Sequence, residues 1–195
     1  MNIAVFASGS GSNAENIIRY FGEGDRLSSD GSAIRVALVL CNRPDAYVIT
    51  RAARLGVPSV VVTRSEFNDR DRLLAIMSDC DVRFIVLAGF LLMVPDFLIE
   101  AYPDRILNIH PSLLPKYGGK GMYGMHVHEA VRASGDDVTG ITIHRVSPVC
   151  DGGEIVFQAS VPVLPEDSAG DIARKVAGLE AEHFPRVIHE VIRGH

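Results

Sequence analysis

Five short apolar runs, residues 2–7, 35–41, 59–63, 83–88 and 105–109, are separated by stretches of helical character at 13–21, 45–55, 66–78 and 95–102. That alternation constrains the chain more than any other feature. Consecutive strands joined through helices pair in parallel by right-handed crossovers and leave helices on both faces of the sheet. Gly56 followed by Val57 and Pro58 is a stop for the second helix. Beyond a helix near 126–133 the rhythm changes: 140–146 and 154–163 read as successive strands, expected to be antiparallel. Residues 168–193 read as a long closing helix, expected to break near Pro185. The expectation is an α/β protein forming a single domain over residues 1–195. Its sheet is mostly parallel, with helices on both faces and antiparallel C-terminal strands.

Several function classes are disfavoured by composition. The longest apolar stretch, residues 85–94, contains Gly89 and falls short of the roughly 20 residues a membrane helix needs. The chain opens into Ile3-Ala4-Val5-Phe6 without a positively charged leader, so no secretory signal is expected. Cys41, Cys80 and Cys150 are odd in number and far apart, which favours a reducing compartment, the cytoplasm, over a disulfide frame or a zinc site. A formal charge of −5 without a Lys/Arg cluster argues against a nucleic-acid footprint. Any anionic ligand is then held by local donors.

One such donor set lies at the end of the first strand. Ser8-Gly9-Ser10-Gly11-Ser12-Asn13 joins that strand to the first helix, where backbone amides and the positive helix end favour a phosphate. Gly9, Gly11 and Ala14 also fit G-x-G-x-x-A, but the second strand ends Leu40-Cys41-Asn42, without the acidic residue a dinucleotide ribose needs. A third reading needs no ligand at all: Ser12 and Glu15 are spaced for a capping box.

The second polar set is Asn108-Ile109-His110-Pro111, with Asp151-Gly152-Gly153 some forty residues on. Residues two apart in a strand share a face, so Asn108 and His110 point the same way, and Pro111 ends the strand just after the histidine. That places His110 at a carboxyl edge, where open α/β sheets bind ligands. An amide can donate to a developing oxyanion, an imidazole titrates near neutral pH, and a carboxylate can orient it. Those parts suit carbonyl chemistry. His144, alternating with Thr142, is a candidate supporting residue, while His126 and His128 read as a plain helix start. The glycine-rich segment 116–125 beside the site reads as a lid.

Asn108-x-His110-Pro-Ser-Leu-Leu-Pro115 together with Asp151-Gly-Gly resembles the signature of the 10-formyltetrahydrofolate-dependent formyltransferases. The opening Ser-Gly-Ser-Gly-Ser-Asn13 resembles the branch of that family that acts on glycinamide ribonucleotide in purine biosynthesis. The likeness runs through Val86-Leu-Ala-Gly-Phe90 and Gln158-Ala-x-Val-Pro-Val163 to the Glu180 region. It implies a Rossmann-like single domain with 10-formyltetrahydrofolate as co-substrate and no metal. The implied partners are small molecules, without nucleic acid or membrane, and the implied assembly is a monomer or homodimer. By position, Asn108, His110 and Asp151 would be catalytic; Gly11, Ser12 and Asn13 would hold the nucleotide phosphate; and Glu180 the ribose or glycinamide. Folate would lie against Phe90, Leu91, Leu92, Met93, Val94, Ser147 and Val149, with Arg64 a further folate contact. Two readings compete: a formyltetrahydrofolate hydrolase using the same polar trio, and a non-catalytic nucleotide-binding module using the glycine loop alone.

Overall fold

Along β1 (Asn2–Phe6), Ile3 and Val5 face one layer of helices while Ala4 and Phe6 face the other, as the alternation of side chains along a strand requires. In the computed structural model, which describes residues 1–24 and 26–194, this division extends across a seven-stranded sheet. β2 (Arg35–Cys41), β3 (Ser59–Val61), β4 (Val82–Leu87) and β5 (Ile106–His110) join β1 in parallel. β6 (Val138–Arg145) and β7 (Ile155–Pro162) extend the sheet antiparallel. The strand order is β3-β2-β1-β4-β5-β6-β7. One face is covered by α1 (Ser12–Gly22) and α2 (Tyr47–Arg54), with α6 (Met125–Ser134) and α7 (Ala169–Arg193) completing the layer. The other face is covered by the short α3 (Arg64–Phe67), by α4 (Arg70–Asp79) and by α5 (Asp96–Ala101). The α/β architecture expected from the strand–helix rhythm is the one that forms.

Two elements differ from the sequence reading. The helix expected over 66–78 is two helices, because Asp69 caps α4 by accepting a bond from the Arg72 N–H, and α3 has its own reciprocal box between Thr63 and Glu66. Side chains of this kind offer the backbone an exit from the helix, and here two caps in six residues outweigh continuation.

The second difference is that α7 runs unbroken through Pro185. Proline lacks the N–H that would serve the carbonyl four residues earlier. That carbonyl belongs to Ala181, and it accepts 2.7 Å from Asn16 Nδ2 on α1 instead. A neighbouring helix thus supplies the missing donor. Asn16→Ala should destabilise the fold by about 1 kcal/mol in denaturant titrations, the usual net value of such a bond. In a Pro185→Ala background, where α7 regains its own donor, the same change should cost markedly less; equal costs in both backgrounds would refute this account.

Candidate active site

The connection leaving β1 runs to one side of the sheet and the connection leaving β4 to the other, which opens a crevice above their carboxyl ends. A cavity of about 850 Å³ occupies that crevice. Residues 9–13 after β1, 88–93 after β4, Asn108 and His110 of β5, the loop 119–124, His128, Asp151 and Glu180 all line it. Ser8 ties the rim together: its N–H donates to the Gly89 carbonyl, and its hydroxyl donates to Asn42 and accepts from the Leu91 N–H.

At one end lies the glycine loop. Gly11 is the N-cap of α1 with φ 75° and no side-chain cap bond. A Cβ there would lie 2.5 Å from Val48 Cγ2, so both conformation and space demand glycine. The capping box that Ser12 and Glu15 could have made is absent. Glu15 turns to Arg19 and Arg51 instead, and hydrogen bonds from those guanidiniums lower its pKa. The first-turn amides of α1 are left without a side-chain acceptor, an arrangement that favours an anion. Asn13 Nδ2 donates 2.9 Å to Glu180 Oε2, joining this loop to α7. Burial raises the Glu180 pKa, and the Asn13 bond opposes that only in part. Among the described residues lining the cavity, Lys120 is the sole lysine or arginine.

At the other end, strand register sets the chemistry. β5 and β6 pair so that Asn108 opposes His144 and His110 opposes Thr142. Since Leu107, Ile109, Ile141 and Ile143 belong to the opposite, apolar face, the four polar side chains share one side. Asn108 Nδ2 donates to His144 Nε2 at 3.0 Å. His144 Nδ1 lies 2.8 Å from the Arg145 carbonyl and His110 Nε2 lies 2.7 Å from the Tyr117 carbonyl. A carbonyl only accepts, so each of those nitrogens carries the proton. The other nitrogen of each ring then faces Asp151: His110 Nδ1 is 3.6 Å from Oδ2, and His144 Nε2 is 3.6 Å from Oδ1.

Asp151 is placed there by the chain around it. It has φ 53°, a left-handed conformation, and Oδ2 accepts 2.8 Å from the Gly119 N–H of the lid segment. A Cβ on Gly153 would meet the Arg145 carbonyl at 1.8 Å, so only glycine lets this turn pack against the end of β6. Burial acts to raise the Asp151 pKa, but its neighbours His144, the Gly119 N–H and His110 outweigh it and hold the pKa low. Burial lowers the His110 pKa, and Asp151 and the Tyr117 carbonyl offset only part of that. The carboxylate therefore faces the ring nitrogens left as acceptors, His110 Nδ1 and His144 Nε2.

With this geometry in place, comparison with known proteins is decisive. The formyl transferase family matches residues 1–188 of the chain. The chain belongs to that family. It is 40% identical over 192 residues to the chloroplastic phosphoribosylglycinamide formyltransferase of Arabidopsis thaliana, covering 95% of this chain and 63% of that protein. It is 36% identical to the phosphoribosylglycinamide formyltransferase of Haemophilus influenzae, covering 95% of this chain and 84% of that one. The crystal structure of glycinamide ribonucleotide transformylase 1 from Symbiobacterium toebii superposes with a TM-score of 0.87 at 34% identity, over 100% of this chain and 88% of that one. The chain thus spans less than two thirds of the plant relative and most of the bacterial ones.

In this member of the formyl transferase family the cavity gathers Asn108, His110, Asp151, Gly11, Ser12, Asn13, Glu180 and residues 90–93 on one wall system. It does not gather every residue singled out in the sequence. Arg64 is exposed in α3, Val94 is buried in the core beneath the other face, and Ser147 and Val149 lie outward in the turn before Asp151. Cys150 lines the cavity instead. Sequence reasoning gave His144 a supporting role; the register makes it a direct neighbour of both Asn108 and Asp151. The Tyr117 carbonyl and Gly119 N–H were not foreseen, because backbone groups leave no mark on residue type. His126 and His128 part company: His126 is exposed beside Glu129, while His128 is buried on the cavity wall.

His110 and His128 both have lowered pKa values, burial being the first cause of each. The unfolded chain therefore takes up protons before the folded one does as pH falls. Folding free energy should be fully present above about pH 6.5 and should drop as pH falls below it. Denaturant titrations between pH 7.5 and 5 check this; a flat or rising profile would contradict buried neutral imidazoles.

Proposed function

We propose that this chain transfers the formyl group of 10-formyltetrahydrofolate to the amine of glycinamide ribonucleotide. The observation that carries the reading is the convergence of the Asn108 amide, the His110 imidazole and the Asp151 carboxylate, backed by His144, on the cavity that the uncapped start of α1 also lines. The uncapped amides would hold the nucleotide phosphate and Glu180 its ribose, while the apolar stretch 90–93 would receive the folate ring. Lys120, on the lid segment, would bring the only lysine charge to substrates that are themselves anionic.

In the reaction the neutral amine attacks the formyl carbon and its electron pair forms the new C–N bond. Charge builds on the formyl oxygen. One Asn108 N–H is taken by His144, and the other is free to donate to that oxygen. The amine proton passes to the Asp151–His110 pair, whose facing acceptors lack one, and thence through water to N10 as the C–N10 bond breaks. Formylated nucleotide and tetrahydrofolate leave with no net proton change. Holding two substrates in attack geometry can supply roughly 7–11 kcal/mol of the barrier. One oxyanion donor contributes about 3–4. Positioning by the cavity therefore outweighs any single polar residue.

Mixing the protein with 10-formyl-5,8-dideazafolate and glycinamide ribonucleotide, and following deformylated folate by absorbance, tests the reading. Deformylation should require the nucleotide; an equal rate without it would make the protein a hydrolase. Asn108→Ala should lower kcat by about 10²–10³-fold, and Asp151→Asn should lose most turnover while nucleotide binding persists. Since His110 must be neutral and Asp151 ionised, and both have lowered pKa values, the acid limb of kcat/KM should lie below the ordinary histidine value of about 6.5.

A further inference from the structure

His128 makes no hydrogen bond to the polar set described above, although His110 lies near enough to add to the lowering of its pKa that burial begins. It lies in the second turn of α6, is only 6% exposed, and forms part of the cavity wall. Its Nδ1 is sealed from solvent and has no hydrogen-bond partner. An imidazole buried in this way needs a reason to persist, because a partnerless polar group lowers stability relative to an apolar side chain of the same size. A neutral imidazole carries a single N–H. Placed on Nδ1 that proton would be stranded in a dry environment; placed on Nε2, the nitrogen not so sealed, it becomes a donor presented to the cavity.

The location says which substrate that donor meets. The helix that carries His128 packs against α7, whose Ala173, Val176, Ala177 and Glu180 line the same cavity, and Glu180 is bonded to Asn13 of the glycine loop. Ala173, Val176 and Ala177 offer no side-chain polar group, so on this stretch of wall His128 and Glu180 are the side chains able to read a polar ligand. One donates and the other accepts. A phosphorylated sugar needs that combination, since its hydroxyls donate and its ring, ester and phosphate oxygens accept.

We propose that His128 is a nucleotide-recognition residue, its Nε2–H donating to an acceptor oxygen of the phosphoribosyl half of the substrate. The orphaned Nδ1 is the stability cost of keeping that donor in place. The inference rests on the function proposed above, but not on the chemistry of formyl transfer, so the two can fail separately.

The test compares His128→Leu, which removes both nitrogens at similar volume, with His128→Gln, which returns a donor near the Nε2 position. In His128→Leu the KM for glycinamide ribonucleotide should rise about tenfold, while kcat and the KM for the folate stay near wild type. Its Tm should be unchanged or higher. His128→Gln should recover most of the nucleotide affinity. An unchanged nucleotide KM, a rise confined to the folate KM, or a lower Tm with a fall in kcat would each overturn the assignment; the last would mark His128 as merely structural. Calorimetric titration of the nucleotide into wild type and His128→Leu, without folate, reads the same bond independently of turnover. Tight binding weakened by the substitution, in a protein that transfers no formyl group, would uphold this inference while sinking the proposed reaction.

Discussion

The buried carboxylate of Asp151 is the constraint on which the active site depends. A charge in that position is tolerated only with partners around it; besides the adjacent Cys150 thiol these are the Gly119 N–H, His110 and His144. Each partner comes from a different part of the chain. Gly119 belongs to the lid segment, His110 to the end of β5 and His144 to β6. The carboxylate thereby fixes the 116–125 loop, the strand end and the turn to one another. Both imidazoles are already held by backbone carbonyls, so neither can rotate to relieve the carboxylate. The same arrangement that costs desolvation keeps a proton acceptor ready.

Thr142 does similar work one layer beneath. Its hydroxyl donates to the Ser112 carbonyl and accepts from the Leu114 N–H and from Gln158 Nε2. The irregular run from Pro111 to Pro115 leaves its strand with backbone groups that no ladder can satisfy. Thr142 and Gln158, on β6 and β7, satisfy them. The segment bearing His110 is therefore clamped rather than loose, and the His-Pro-Ser-Leu-Leu-Pro motif is as much a packing device as a chemical one.

Much of this was legible in the chain itself. The short apolar runs gave the strands and their alternation with helices gave the parallel sheet, because burial on both faces leaves a strong hydrophobic signal. Asn108, His110 and the glycine loop were legible because local spacing fixes which way they point. Pro185 misled, since the rule that proline breaks a helix is local and the donor that rescues Ala181 lies 165 residues away on α1. The Ser12–Glu15 spacing left a capping box open as the alternative to a ligand, and the choice was not local either: Arg51, from α2, competes for Glu15. His128 looked like one half of a helix-start pair, and only its packing separates it from His126.

The sequence by itself determined the layers, the order of elements and the residue types that face a carboxyl edge, all of which follow from periodicity and from backbone restrictions acting over a few residues. Tertiary structure alone decided which groups meet. The pairing of β5 with β6 set His144 against Asn108, the turn at Gly153 brought Asp151 between two imidazoles, and α6 packing on α7 sealed one nitrogen of His128. Those outcomes depend on register and on burial, and both are properties of contacts between segments far apart in the chain, where no local pattern records them.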